Sequence, residues 1–190
     1  MHSNILMILY GKEWIKELKD KIRTVPHWPK QGVMFRDITT LLKDKDEFNL
    51  MINEFVKHYR NKKIDAVVGI ESRGFIIGSA LAHRLNLGFI PIRKKGKLPA
   101  ETVSEEHKLE YGKDKIEIHK DAIVLGMNVL ITDDLIATGG TLLAACNLVK
   151  KLGANVHECA LVIDLPNLKG KEKIEKAGYK VFNLLEFEGD

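Results

Sequence analysis

Two adjacent carboxylates, Asp133 and Asp134, stand between the apolar run Val129-Leu130-Ile131-Thr132 and the small-residue stretch Ala137-Thr138-Gly139-Gly140-Thr141. A strand, an acidic pair and a Gly/Thr-rich turn into a helix suit a phosphorylated sugar. The turn offers backbone N–H groups and two hydroxyls to a phosphate at the positive end of the following helix, and its glycines let the backbone come close. Acidic side chains beside such a turn would repel a bare phosphate, so they serve either as acceptors for sugar hydroxyls or as ligands of magnesium. A phosphorylated ribose satisfies both halves, whereas a plain strand-turn-helix with a capping threonine accounts for the turn alone. Neither G-x-G-x-x-G nor G-x-x-x-x-G-K-[ST] occurs, which argues against dinucleotide and Walker-type sites.

Two further clusters carry charge. Glu71-Ser72-Arg73-Gly74-Phe75 follows a predicted strand and opens a helix, where Arg73 and nearby amides can hold a second anion; the alternative is a capping Ser72 with Arg73 in solvent. Arg93-Lys94-Lys95-Gly96-Lys97 places four cations after another strand. The run is short and lacks interleaved aromatics, so a polyphosphate suits it better than nucleic acid. The seven histidines are scattered; His107 and His119 lack metal spacing and read as surface side chains. Trp14 and Trp28 read as core or interface anchors, and Cys146 and Cys159 as buried apolar residues.

These clusters need a scaffold that brings them together. The 190 residues are 45% hydrophobic and 29% charged, with 15 Gly and 5 Pro, the profile of one soluble globular domain, which excludes a disordered or fibrous chain. The net charge of +4 allows anionic partners without requiring nucleic acid. The apolar run from Ile5 to Tyr10 is too short to span a bilayer and has no basic residue ahead of it, so cytoplasmic residence is expected.

Apolar spacing predicts a helix over 12–23, then an extended loop, then a helix capped by Asp46 and running to Tyr59. A strand over 64–70, a helix bearing Phe75, Ile76, Leu81 and Leu85, and a strand over 89–92 make one β-α-β unit. A second runs from a strand at 128–132, through a helix bearing Leu142, Leu143, Cys146 and Val149 and closed by Gly153, to a strand within 156–163. A last helix near 171–177 and strand near 179–184 complete an α/β fold, a parallel β-sheet flanked by helices. In such a sheet the ligand crevice lies beyond the carboxyl ends of the strands, where all three clusters fall. The stretch from Arg93 to Ile116, rich in Lys and Glu, is long for a loop in a compact domain and reads as a functional flap.

Taken in order, Gly32-Val33-Met34-Phe35-Arg36-Asp37-Ile38, Glu71 to Phe75, Arg93 to Pro99, Leu109-Glu110-Tyr111-Gly112 and Val129 to Thr141 resemble the type I phosphoribosyltransferases, and among them the branch that acts on adenine. The resemblance implies one domain over the whole chain, with a small hood from about 22–40 and the C-terminal part, and a flexible lid over about 94–115. It implies magnesium-dependent transfer of the 5-phosphoribosyl group from phosphoribosyl pyrophosphate to adenine, giving AMP and pyrophosphate, in purine salvage. Ala137, Thr138, Gly139, Gly140 and Thr141 would then hold the 5′-phosphate, and Asp133 and Asp134 the ribose hydroxyls. Arg73, Arg93, Lys94 and Lys97 match pyrophosphate positions, some of which reach across a dimer interface in this family, so a homodimer is implied. Met34, Phe35, Arg36 and Leu165 match the adenine pocket, and Glu110 and Tyr111 the lid. Glu110, Asp134 and Arg73 are the catalytic candidates, magnesium arrives with phosphoribosyl pyrophosphate instead of by direct protein ligation, and neither nucleic acid nor membrane is a partner. The chain departs from the family in carrying His107 where a tyrosine is common and Gln31 where a proline is common. Because a phosphate turn alone does not choose the base, a phosphoribosyltransferase for a 6-oxopurine or another base, and a non-catalytic phosphoribosyl-pyrophosphate-sensing regulator, stand as alternatives. The Gly32–Ile38 segment favours adenine, and the chain has little room for a separate DNA-binding domain.

Overall fold

The computed structural model of the chain describes residues 13–108 and 113–189. A helix over 13–21 (α1) leads into two short strands, β1 (Arg23–Pro26) and β2 (Met34–Asp37), and then α2 (Thr39–Leu42) and α3 (Lys45–Tyr59). Next come β3 (Ala66–Ile70), α4 (Arg73–Leu85), β4 (Gly88–Lys94), β5 (Thr102–Lys108) and β6 (Lys113–His119). The chain ends with β7 (Asn128–Ile136), α5 (Gly140–Lys151), β8 (Asn155–Asp164), a 3₁₀ turn at Pro166–Leu168, α6 (Gly170–Lys176) and β9 (Val181–Glu186).

Seven strands form one sheet in the order β5-β6-β4-β3-β7-β8-β9, and β1 pairs with β2 apart from it. From β4 to β9 the neighbours are parallel, whereas β6 runs antiparallel to both β4 and β5. The expected parallel sheet flanked by helices is therefore present, with an antiparallel pair added at one edge.

β3 is buried along its length because both of its faces are covered, and its alternating side chains feed two cores. Ala66, Val68 and Ile70 pack with Ile131 and Leu161 of the sheet, Leu148 of α5 and Ile174 of α6. Val67 packs on the other face with Leu130 and Val162, Leu18 of α1, Phe55 of α3 and Ile77 of α4. Cys146 and Cys159 are fully buried in the first core, as expected of apolar cysteines. Successive connections from β3 lead to β4 on one side and to β7 on the other, so a crevice opens at the carboxyl ends of β3 and β7 where the winding reverses.

Four local expectations change. α3 is capped by Asp44, whose side chain accepts from the Asp46 and Glu47 N–H groups at 3.1 and 3.5 Å; Asp46 sits in the first turn instead. β7 continues to Ile136, because residues past Thr132 keep pairing with β8. The expected loop after α1 contains the β1–β2 pair. The flap is built as strands β5 and β6, held against α5 by Glu105, which accepts from Asn147 at 3.0 Å and pairs with Lys151. Its alternation is weak in the sequence because Val103, Ile116 and Ile118 are the only aliphatic residues of the two strands. No described helix is long and apolar enough to cross a membrane.

Candidate active site in the crevice between β3 and β7

The last β3–β7 pairing is Gly69↔Thr132, and β7 then continues on β8. α4 begins beside the open stretch. A Cβ on Gly74 would lie 2.6 Å from the Thr132 carbonyl oxygen and 3.2 Å from the Asp133 Cα, so only a glycine lets the helix sit this close. Thr132 Oγ1 donates at 3.2 Å to the carbonyls of Val68 and Gly74, linking strand, strand and helix. This seating brings Arg73 onto β7, where its Nε donates to Asp134 Oδ2. The solvent-facing alternative for Arg73 is thereby set aside.

Asp134 is buried while Arg73 stays half-exposed, leaving the cation with donors for a ligand. Burial works against the Arg73 charge, yet Asp134, Asp133 and Asp37 hold its pKa above the usual guanidinium value. Asp133 Oδ1 accepts from the Asp134 backbone N–H at 2.9 Å. Burial and the neighbouring Asp134 push the Asp133 carboxyl above the ordinary carboxylate range.

Arg73, Asp133 and Asp134 line two cavities at once. The first, of 520 Å³, is walled by Val33, Met34, Phe35, Leu135, Leu165 and Leu168, with Arg36 at its edge. Its side chains suit a flat, largely apolar ring. The second, of 380 Å³, is walled by Glu71, Ser72, Lys94, His107, Asp114 and Thr141, a polar lining suited to charged oxygens. Lys94 Nζ lies 3.7 Å from Asp114 Oδ2.

β2 supplies the wall of the first cavity and is anchored at its end by Asp37. That carboxylate pairs with Arg23 and accepts from the Thr39 N–H at 2.9 Å and hydroxyl at 2.8 Å. Burial opposes the charge, but these donors pull the Asp37 pKa down to about 2. Arg36 is held from behind: its guanidinium donates to Thr24 and to the Gly189 carbonyl, and its Cζ lies 4.8 Å from the centre of the Phe187 ring. Trp28, half-exposed, packs edge-on against Phe35 with ring centres 4.4 Å apart.

The glycine turn is also held in place. Gly139 has φ +73° and sits against Gly170 at the start of α6, where a Cβ would lie 2.9 Å from the Gly139 nitrogen. No side chain caps the first turn of α5, which leaves its first N–H groups without a side-chain acceptor. Ala137 lines the first cavity and Thr141 the second, while Thr138 and Gly139 lie in the turn between them and Gly140 opens α5.

Not every predicted residue reaches the crevice. Arg93 is bound to Glu71 through two contacts of 3.1 and 3.2 Å and donates to the Lys97 carbonyl at 3.1 Å; Arg93 and the Lys94 N–H keep the Glu71 carboxyl below its ordinary range. Lys97 is exposed. Glu110 and Tyr111 lie outside the described residues. Three residues were missed. Glu117, 4% exposed, accepts from the Gly96, Lys97 and Leu98 N–H groups at 2.9, 3.2 and 3.2 Å and so shapes the basic loop; its one signal was a lone acid between Ile116 and Ile118. Asp114 lines the second cavity without having been singled out. His107 is buried, not a surface side chain, and His119 is half-buried.

Comparison with known proteins adds a family. Residues 39–189 match the model of the phosphoribosyl transferase domain. A curated adenine phosphoribosyltransferase of Desulfosudis oleivorans is 57% identical over 174 residues, 92% of this chain and 99% of the relative. The crystal structure of adenine phosphoribosyltransferase from Rhodothermus marinus superposes with a TM-score of 0.86 at 46% identity, over 92% of this chain and 98% of that one. The Saccharomyces cerevisiae enzyme, complexed with an imino-altritol bisphosphate and adenine, superposes with a TM-score of 0.85 at 41% identity, over 90% and 98% of the two chains.

Proposed function

The chain belongs to the phosphoribosyltransferase family, among its adenine phosphoribosyltransferases, and from that premise we propose that it makes AMP and pyrophosphate from adenine and phosphoribosyl pyrophosphate, with magnesium, as a purine-salvage step. The observation that carries this reading is the pair of cavities, one apolar and one polar, meeting at Arg73 and Asp134. Adenine occupies the apolar cavity against Met34, Phe35, Arg36 and Leu165. The 5′-phosphate sits on the turn from Ala137 to Thr141, and Asp133 and Asp134 accept from the ribose hydroxyls. Arg73 and Lys94, with Arg93 and Lys97 shaping the adjoining loop, hold the pyrophosphate.

Displacement of pyrophosphate by a ring nitrogen of adenine builds positive charge on the ribose and negative charge on the leaving group. In this reading Asp133 and Asp134 face the developing positive charge on the ribose, and Arg73 and Lys94 face the negative charge on the leaving group. Holding both reactants in one crevice makes the attack effectively unimolecular, worth up to about 7–11 kcal/mol in favourable systems. Among the described residues no three His, Cys, Asp or Glu side chains come together as a metal-binding group. The Asp133–Asp134 pair, with Asp134 already on Arg73, suits a magnesium ion carried on substrate phosphates and completed by water. When bound, the metal would neutralise charge on the departing pyrophosphate.

The remaining parts of the reading follow the same site. β1, β2 and the C-terminal segment around Phe187 serve as a hood over the base, and the segment over about 94–115, carrying Glu110 and Tyr111, serves as a lid that excludes water and assists proton movement at adenine. The active form is a homodimer. A cytoplasmic setting belongs to the same reading.

The test is a coupled assay with purified protein, magnesium and phosphoribosyl pyrophosphate across adenine, hypoxanthine, guanine and uracil. AMP from adenine alone is the expected result. Turnover of another base would overturn the assignment of the apolar cavity, and binding of phosphoribosyl pyrophosphate without any turnover would favour the regulator.

A further inference from the structure

The polar cavity contains one titratable side chain that the reading above leaves without work. His107 lies near the end of β5, opposite Asp114 in the β5–β6 register, and is 7% exposed. Its Nδ1 is buried with no hydrogen-bond partner, and the residue is part of the wall of the 380 Å³ cavity together with Arg73 and Lys94. A buried imidazole nitrogen is ordinarily satisfied by protein or water. The lining sets two cations, Arg73 and Lys94, beside four carboxylates, Glu71, Asp114, Asp133 and Asp134; the pyrophosphate of the proposed reaction brings oxygens that accept hydrogen bonds, and an imidazole can meet such a ligand as a donor.

We propose that His107 is a further substrate-binding residue, donating a hydrogen bond to an oxygen of the pyrophosphate group and binding more tightly when the imidazole is protonated. The proposal rests on the phosphoribosyl-pyrophosphate reading of the site. The charged groups that act on the ring are Asp114 on β6, Lys94 on β4 and Lys173 on α6, and Glu71, Arg73, Asp133 and Asp134 line the same cavity. Burial first, then Lys173 and Lys94 working against Asp114, lower the His107 pKa below the ordinary imidazole value, so the ring is neutral at neutral pH. A pyrophosphate oxygen beside it acts with Asp114 against burial and the two lysines and raises the pKa. A group whose pKa rises on binding strengthens the complex below its free pKa, and that gain fades as pH climbs through the bound value.

The experiment is calorimetric titration of wild type and His107→Gln with pyrophosphate, and separately with AMP, at constant magnesium and at pH 5.5 and 8.0. Comparing variant with wild type at each pH cancels the protonation of pyrophosphate itself. The expected loss of pyrophosphate affinity is about tenfold at pH 5.5 and about threefold or less at pH 8.0, with AMP affinity unchanged. Equal losses at both pH values, no loss, or an equal loss for AMP would overturn the proposal, the last because it would assign the contact to the 5′-phosphate. Side-chain NMR of the wild type gives a readout independent of the variant's folding: the His107 pKa rises on adding pyrophosphate and not on adding AMP, and an unmoved pKa overturns the proposal. Wild type that binds neither ligand would sink the reading of the whole site, whereas wild type that binds both beside an indistinguishable variant would remove only the role of His107.

Discussion

At the scale of single residues, the crevice depends on charges made useful by where they are buried. Asp134 is nearly inaccessible and Arg73 is its cationic partner, so the pair is set before substrate arrives. Asp134→Asn is expected to lower kcat/KM by about 10²–10³-fold, the scale of losing one preorganised polar contact; steady-state kinetics that stay within threefold of wild type would remove Asp134 from the reaction. Asp37 does its work further out, at the end of β2. Its pKa of about 2 lies below the ordinary 3.8, so it stabilises the fold above about pH 4 and loses that contribution as pH falls toward 2. Discounting for the exposed Arg23 partner, Asp37→Asn should cost about 1–2 kcal/mol at pH 7. Urea melts at pH 7 and pH 3 check this: the gap between wild type and variant narrows in acid, and a gap independent of pH would exclude the ionised Asp37 as its source.

Among the elements, close backbone approaches set the site more than capping does. Gly74 seats α4 on β7, and Gly170 seats α6 on the glycine turn. A methyl at Gly170 would press on the Ala137 carbonyl and lie 2.9 Å from the Gly139 nitrogen, so Gly170→Ala must move either α6 or the turn. Overpacking of this kind costs about 1–3 kcal/mol, expected as a fall in Tm of about 2–10 °C for a chain of this size. The same displacement should raise KM for phosphoribosyl pyrophosphate more than KM for adenine, and a rise confined to adenine would place the turn elsewhere in the mechanism. β5 and β6 show where elements escape a reading of the sequence. Val103, Ile116 and Ile118 are too few to announce two strands, and their pairing is secured by long-range contacts such as Lys151 with Glu105 and Glu117 with the basic loop.

For the whole molecule, the reversal of winding at β3 is the decisive feature, since it gathers the ends of two β-α units into one crevice. The proposed homodimer belongs to this scale, and sedimentation equilibrium is expected to give twice the monomer mass at micromolar concentration; a monomer that turns over at the full rate would show the site to be complete in one chain. The sequence by itself determined the elements whose signals are local: the apolar runs of β3 and β7, the helical stripes of α3 to α5, and the acidic pair followed by Ala137 to Thr141. These follow from periodicity and turn chemistry within a few residues. Only the tertiary structure decided that Arg73 meets Asp134 across 61 positions, that Arg93 is committed to Glu71, that β2 closes the apolar cavity, and that His107 and Glu117 are buried. Each of those outcomes depends on which elements pack side by side, and burial of a polar side chain has no signature in its immediate neighbours along the chain.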